Sequence, residues 1–426
     1  MNLKNALFTF LFFCLGLCFS CGYEKKSGLE LPEPTGPFGV GTAWFYFTDS
    51  SRPEPFTRDP EDFRELAVRV WYPAEIQKTD RTYPYAEHAP VIPAEGVSDE
   101  IRASLEKLNE RLKSIKTHSY KNAPLAASED PFPVVLFSHG YWAGMNQSTI
   151  LMEELASHGY TAASIGHSYE TNSITKPDGS LIRFDPRNPE LMLRNRERGK
   201  ALPLERRITQ TSDSDELDAL FHKIMEERPA MQESIMIWAD DIRFVIDQIN
   251  KLNKNNELFK NNLDLGHIGV MGHSFGGAAS GQASLVEPRI TAGINMDGLQ
   301  VGDMIETPVE KPFLFMHHDN PNAVNKTPNI NFFQRASGPA YLMVIEGSGH
   351  YNFSDFSLPE ISEAALFPEG ALGSIDGQRF INILNESVLT FFDIFLKNEQ
   401  SRSMEELAQK YKEINLKTNN VRNLGI

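Results

Sequence analysis

Past residue 21 the chain contains no cysteine, because Cys14, Cys18 and Cys21 are all that it has. The body of the protein therefore holds no internal disulfide and no thiolate metal site, and no HExxH pair or Cys/His ligand set stands in for one. Long apolar runs are equally scarce. The first twenty residues carry one, and no later stretch is long and apolar enough to span a bilayer. A concentrated Lys/Arg stripe is missing too. The 41 basic residues face 57 acidic ones, a formal net charge of −16, which repels phosphate backbones and sets nucleic acid aside as a partner. What is present is an ordinary globular balance, 41% hydrophobic and 23% charged residues. Over 426 residues that balance supplies a sizeable core rather than a disordered chain.

The N-terminus has the layout of an export signal. Lys4 precedes an apolar run from Ala6 to Leu17, and Cys18, Phe19, Ser20 and Cys21 lead into polar Glu24, Lys25 and Lys26. Residues 1–20 are too short for a span with these flanks and read as a signal peptide. Small Ser20 before Cys21 matches a bacterial lipoprotein box, although Cys18 stands where such boxes usually carry Leu. The expectation is an exported protein, anchored to a membrane through a lipid on Cys21 (periplasm or outer membrane), with plain secretion as the alternative. Residues 21–37, rich in Pro, Gly and Glu, read as a tether.

The remainder reads as one large domain over 38–398. Phe38 to Thr48 and Glu65 to Tyr72 (ELAVRVWY) form an opening antiparallel pair, the second with strand periodicity. Ser98 to Lys116 has helical spacing. From Phe132 onward short apolar runs alternate with helices. The runs are 132–138, 160–165, 267–271, 290–296, 312–316 and 340–345, with helices over 147–157, 234–252 and 377–396. Such alternation predicts an α/β fold with a mostly parallel central sheet flanked by helices on both faces, because parallel strands need crossovers that bury both faces. A polar insertion over 170–231 contains a hairpin turn at 175–180 (TKPDGS) and clusters of opposite charge around Arg194 to Arg207 and Asp213 to Asp218; it reads as a lid. Residues 399–426 read as a helical tail.

The strongest chemical signal is Gly272-His273-Ser274-Phe275-Gly276, directly after the apolar run 268–271 and before Gly277, Ala278, Ala279 and Ser280. This strand, G-x-S-x-G and small-residue helix make a nucleophile elbow, whose glycines allow the turn that lifts the serine hydroxyl out of the sheet. Ser274 is thus the candidate nucleophile of an α/β-hydrolase. A serine needs a base, and in this fold the chain order is serine, acid, histidine. His350, on the Gly-rich loop after the strand 341–345, is the candidate base. Two acids compete, each at the carboxyl end of a strand: Asp297, between Met296 and Gly298, and Asp319, in a hydrophilic stretch with His317, His318 and Asn320. An orienting acid must be buried, which favours Asp297. Oxyanion stabilisation needs two backbone amides. Phe275 offers one, and Tyr141, after Gly140, the other. Tyr141, Trp142 and Phe275 also offer apolar walls for an acyl chain.

These residues resemble the family of plasma-type platelet-activating factor acetylhydrolases, also called lipoprotein-associated phospholipases. The matching features are GPFGV at 36–40, FSHG at 137–140, ASHG at 156–159, GHSFGG at 272–277 and HYNFSDF at 350–356, within a span from Gly36 to Lys397. The resemblance implies a triad of Ser274, Asp297 and His350, oxyanion amides on Tyr141 and Phe275, and calcium-independent hydrolysis of short or oxidised acyl esters of glycerophospholipids, with neither cofactor nor metal. Tyr141 and Trp142 depart from the small aliphatic residues of mammalian members, and the insertion offers no apolar helix for docking on a lipoprotein. The stretch 140–148 (GYWAGMNQS) is similar instead to bacterial cutinases, which cleave polyesters. The sequence therefore predicts a serine carboxylic ester hydrolase acting on short-acyl or phospholipid-type esters, with Trp142 on the substrate. A cutinase-like or broad carboxylesterase and, more distantly, a non-catalytic binding protein of the same fold are the alternatives.

Overall fold

Fully buried apolar runs such as Phe132–Ser138 and Thr161–His167 have no polar face to turn outward, so they pair inside a sheet covered on both sides. In the computed structural model, which describes residues 30–77, 80–86, 99–208, 210–211, 213–320, 326–362 and 371–419, they do so. The strands are β1 (Gly39–Pro53), β2 (Phe63–Ala74), β3 (Thr82–Pro84), β4 (Lys116–Lys121), β5 (Phe132–Ser138), β6 (Thr161–His167), β7 (Ser173–Thr175), β8 (Leu181–Arg183), β9 (Leu263–His273), β10 (Ile290–Met296), β11 (Phe313–His318), β12 (Ala340–Ile345) and β13 (Ile414–Thr418). Eleven form one sheet in the order β13-β12-β11-β10-β9-β5-β6-β2-β1-β4-β3. From β12 through β6 every neighbour is parallel, while β2 joins β6 and β1 joins β2 antiparallel. This is the α/β-hydrolase arrangement.

One face is covered by the helices Thr149–Ser157 and Gly377–Leu396, whose Leu151, Met152, Leu155, Phe380, Ile383, Phe391 and Phe392 share a core with Phe137, Met271, Ile294 and Met343. The other face carries Pro229–Asn255 and Phe275–Val286, which bury Trp238, Ile242, Val245, Ala278 and Ala279 against Val134, Val70 and Val270. Each such large side chain removed from water contributes about 1.5–3 kcal/mol.

Two expectations need correction, and a third gains detail. The segment expected to be a tether is packed against the body over its described part: Leu31 is buried, and Thr35 and Gly36 hydrogen-bond to Glu154 and Ser157. In its described part the tail is helical over Met404–Lys410, and Ile414–Thr418 continues as strand β13, antiparallel to β12, because its apolar residues complete an otherwise open sheet edge. The insertion is less polar in three dimensions than in sequence. Its helices Pro189–Ile208 and Ser214–Glu226 bury Ala201, Ile208, Leu220, Phe221 and Ile224 against Phe313, Phe315 and Phe332, while β7 and β8 form the hairpin expected at 175–180. The signal segment and Cys21 lie outside the described residues. Among the described residues no helix is long and apolar enough to cross a membrane.

The register positions the site. Ser138 pairs with Gly272, His273 with Met296, and Met316 with both Met296 and Met343. The carboxyl ends of β5, β9, β10, β11 and β12 therefore align along one edge. The loops leaving that edge are 139–148, 274, 297–298 and 346–357, the segments that carry the candidate chemistry.

Candidate active site

Ser274 occupies the turn between β9 and the helix Phe275–Val286 with φ +56° and ψ −119°. A side chain in that left-handed region costs about 1–2 kcal/mol, and surrounding contacts hold it there. The Ser274 amide donates to Met296 O at 2.9 Å, and a Cβ on Gly276 would lie 2.1 Å from Ser138 O, so only glycine lets helix and strand approach this closely. Asp297 and Trp142 share the left-handed backbone, at φ +57° and +64°. Three strained non-glycine residues in one loop cluster mark a site whose geometry is imposed by the fold.

Asp297 is fully buried. His350 Nδ1 lies 2.5 Å from its Oδ2. His318 reaches the same oxygen at 2.7 Å and donates its backbone amide to Oδ1 at 3.2 Å. Burial alone would raise the carboxyl pKa, but the imidazoles of His317, His318 and His350 outweigh it and hold the group well below the usual carboxylate range. Asp297 is therefore an anion, and the imidazole beside it carries its proton on Nδ1, leaving Nε2 as a base. His350 is about one-third exposed, at 35% of its side-chain surface, so this base opens toward solvent. Asp319, the rival acid, faces elsewhere: its Oδ2 accepts the Gly347 amide at 2.7 Å and so braces the loop that bears His350. Among the described residues the Ser274 hydroxyl makes no hydrogen bond to His350, a contact that commonly tightens only around substrate.

The loop after β5 approaches the serine from the other side. A Cβ on Gly140 would sit 3.5 Å from Ser274 Cβ. The Gly140 amide donates to Gln147 Oε1 at 2.8 Å, and the Gly140 carbonyl accepts His139 Nδ1 at 2.7 Å and the Ala143 amide at 2.9 Å. His139 Nε2 accepts the His167 amide at 3.3 Å, so its proton resides on Nδ1. Burial, then neighbouring His167, lowers the His139 pKa to about 3, and the ring stays neutral. With the Gly140 carbonyl pinned on one side, the Tyr141 amide of the same peptide points to the other. Neither that amide nor the Phe275 amide, first in its helix, has a hydrogen-bond partner among the described residues. Free N–H groups at a helix start and on a pinned loop are suited to an oxyanion.

Several residues organise this site in ways that their place in the sequence does not announce. Gln147 links Gly140 to His273 Nδ1, and His273 Nε2 donates to the His350 carbonyl at 3.0 Å, a chain of bonds from the amide loop to the base. Burial, then the His350 imidazole, lowers the His273 pKa to about 3. Asp355 is buried and accepts the Thr149 and Ile150 amides at 2.7 and 3.2 Å and the Tyr85 hydroxyl at 3.0 Å, tying the base loop to the helix after the amide loop. Behind His139, a buried chain runs from Asp241 to His167 Nδ1 at 2.9 Å and from His167 Nε2 to Ser138 Oγ at 3.1 Å. His273 was visible inside the pentapeptide, but its spacing says nothing about its partners.

The rim is aromatic. Tyr141 meets Phe275 edge-on at 5.5 Å and Phe184 of the insertion at 6.0 Å, and Trp142, 44% exposed, packs on Phe184 at 5.8 Å. The Trp142 amide donates to the Glu170 carbonyl at 2.8 Å, and the buried Glu170 carboxylate accepts Ser234 Oγ and Trp238 Nε1. The insertion and the amide loop are thus built together. The histidines around Asp297 are the described groups whose donor atoms converge closely enough to hold a metal ion.

Comparison with known proteins shows the family and the fold. Residues 23–416 match the family described as platelet-activating factor acetylhydrolase, isoform II. The chain is 26% identical to the platelet-activating factor acetylhydrolase of Cavia porcellus over 86% of its own length and 78% of that protein. It is 23% identical to a probable 1-alkyl-2-acetylglycerophosphocholine esterase of Arthroderma benhamiae, over 91% and 94%. Among solved structures, a ferulic acid esterase from Streptomyces cinnamoneus superposes with a TM-score of 0.64 at 24% identity, covering 91% of this chain and 99% of that one. That likeness shows the fold.

Proposed function

As the chain belongs to the platelet-activating factor acetylhydrolase, isoform II, family, we propose that it hydrolyses short-acyl or phospholipid-type carboxylic esters through an acyl-Ser274 intermediate. That it is a serine ester hydrolase follows from the family and from relatives named acetylhydrolase and esterase. The observation that carries the residue assignment is the buried Asp297 carboxylate on His350 Nδ1, beside a serine held in an elbow.

In this reading His350 Nε2 takes the Ser274 proton while Oγ attacks the ester carbonyl. The Tyr141 and Phe275 amides receive the charge that develops on the carbonyl oxygen, an interaction worth about 2.7–4 kcal/mol for each donor. His350 then protonates the departing alcohol, leaving acyl-Ser274. Water enters, His350 removes its proton, and collapse of the second tetrahedral species frees the acid and returns the proton to Ser274. Asp297 keeps the imidazole in its Nδ1–H tautomer and supports the imidazolium. The route uses no metal, cofactor or calcium. Trp142 and Tyr141 line the acyl side.

A polyester or cutin-like substrate is the second reading, favoured by the exposed Trp142 beside Phe184, which would suit a polymer chain lying across an open rim. A panel of p-nitrophenyl esters and phospholipids of graded acyl length, plus an insoluble polyester film, separates the two. Preference for acetyl and short acyl groups is expected, and release of soluble product from the film at comparable rates would favour the polymer. In every arm Ser274→Ala should lower kcat at least ten-thousandfold; undiminished turnover would remove Ser274 from the mechanism. Export with a lipid on Cys21 is supported by the layout of residues 1–21. Palmitate labelling lost in Cys21→Ala would bear it out, and unchanged labelling would remove Cys21 as the anchor.

A further inference from the structure

Three imidazoles converge on the acid, more than an acid–base pair requires. His350 Nδ1 and His318 Nδ1 share Asp297 Oδ2 at 2.5 and 2.7 Å, and the three groups keep their ligand atoms within 4.8 Å of one another. His317 Nδ1 is 3.7 Å from the other oxygen, Oδ1. His317 is completely buried, and neither of its ring nitrogens has a hydrogen-bond partner. An imidazole buried with both nitrogens unsatisfied has lost its bonds to water without replacing them, and this one is directed at the same carboxylate. Three imidazoles around one carboxylate form a borderline-soft donor set of the kind that selects Zn²⁺ or its transition-metal neighbours, whereas Ca²⁺ and Mg²⁺ prefer all-oxygen sites.

We propose that Asp297, His318 and His350, with His317 behind them, form an inhibitory binding site for a divalent transition-metal cation, Zn²⁺ in the first instance. Donors on one tetrahedral Zn²⁺ stand about 3.3 Å apart, given Zn–N and Zn–O bonds of about 2.0–2.2 Å. Replacing the two shared protons by the ion therefore opens each present contact by less than an ångström. The access route is the half-open side of His350. Each imidazole stays neutral: the proton leaving Nδ1 moves to Nε2 through solvent, and the Nδ1 lone pair goes to the metal. His350 Nε2 then carries hydrogen and can no longer accept the Ser274 proton. The ion thus blocks the base by reversing its tautomer, without touching the serine.

The inhibitory step rests on the mechanism proposed above, while binding does not, so the two are measured separately. Zn²⁺ titrated calorimetrically into Ser274→Ala at pH 7.5 reads binding. Hydrolysis of p-nitrophenyl acetate by the unsubstituted protein reads inhibition. One Zn²⁺ per chain is expected, with Ca²⁺ and Mg²⁺ giving no heat at tenfold higher concentration, together with a tenfold or greater fall in kcat that EDTA reverses. His318→Gln and His317→Gln should each weaken Zn²⁺ binding at least tenfold. Because either variant could misfold, Co²⁺ added to Ser274→Ala supplies a second readout, the visible d–d bands of a tetrahedral site. Absence of stoichiometric Zn²⁺ binding, absence of those bands, or folded histidine variants that bind Zn²⁺ as tightly as the parent overturns the site. Stoichiometric binding without loss of activity overturns the inhibitory role. A protein that binds Zn²⁺ in this way but hydrolyses no ester would instead overturn the esterase mechanism and leave the metal site standing.

Discussion

His350 and Asp297, 53 residues apart in the chain, meet through a 2.5 Å contact between Nδ1 and Oδ2, while Asp319, one strand further on, accepts the Gly347 amide instead. Both acids sit at strand ends, yet one of them bears on the imidazole and the other on the loop beneath it. Asp297→Asn should lower kcat about ten-thousandfold, since an amide favours the wrong tautomer. Asp319→Asn should leave kcat within a few-fold, because its side-chain oxygen can still accept the Gly347 amide. Steady-state kinetics on p-nitrophenyl acetate decide the matter, and comparable losses in both variants would remove the distinction.

Gln147 touches neither nucleophile nor base, but its amide joins Gly140 to His273. Gln147→Leu frees the Gly140 peptide and leaves the Tyr141 amide unaimed. The expected result is a fall in kcat of ten- to a hundredfold, somewhat less than loss of an oxyanion donor, with KM within about threefold. A parallel loss in KM, or unchanged kcat with the fold intact by circular dichroism, would argue against a positioning role.

His139 stays neutral in the folded chain because its pKa is lowered to about 3 from an ordinary 6.5. For a histidine with a depressed folded value, the unfolded chain binds the extra proton first. Its stabilisation is therefore complete above pH 6.5 and declines as pH falls toward 3. His139→Asn can still donate to the Gly140 carbonyl but has no such proton to exclude. Urea unfolding at pH 7.5, 6.0, 5.0 and 4.5 should show the parent's stability advantage over the variant shrinking below pH 6.5, by up to about 1.4 kcal/mol per pH unit. A constant difference across the series would mean that His139 takes up its proton as readily in the fold as in the unfolded chain.

Gly298 follows the acid, and a Cβ there would lie 2.0 Å from the Ser274 carbonyl oxygen. Backbone cannot yield as a flexible side chain does, so Gly298→Ala must push the elbow away from Asp297. Destabilisation of about 1–3 kcal/mol is expected, with a loss of kcat larger than the stability change alone explains. Thermal melts alongside kinetics test this, and a variant that melts and turns over like the parent would show the elbow to be free to move.

The amino-acid sequence by itself determined the alternation of buried strands and amphipathic helices, the elbow at Ser274 and the histidine loop at His350. Those features are local: strand and helix periodicities repeat within a few residues, and the pentapeptide's glycines answer a clash with Ser138 O that any strand–elbow–helix unit would meet. The residues favoured Asp297 on burial, and family resemblance pointed the same way, but contact with His350 depends on how β10, β11 and β12 stack in register. Tertiary structure alone decided the rest. Gln147, His317 and His318 acquire their roles from partners on other strands, with no spacing to announce them. The segment 30–37 reads as a linker until the helix Thr149–Ser157 lies beside it, and the tail reads as helix until an open edge at β12 offers Ile414–Thr418 its backbone hydrogen bonds. The insertion reads as polar because its apolar residues are spread over two helices. Only when Phe221 and Ile224 find Phe313, Phe315 and Phe332 do they become one buried face, since burial belongs to the partner as much as to the residue.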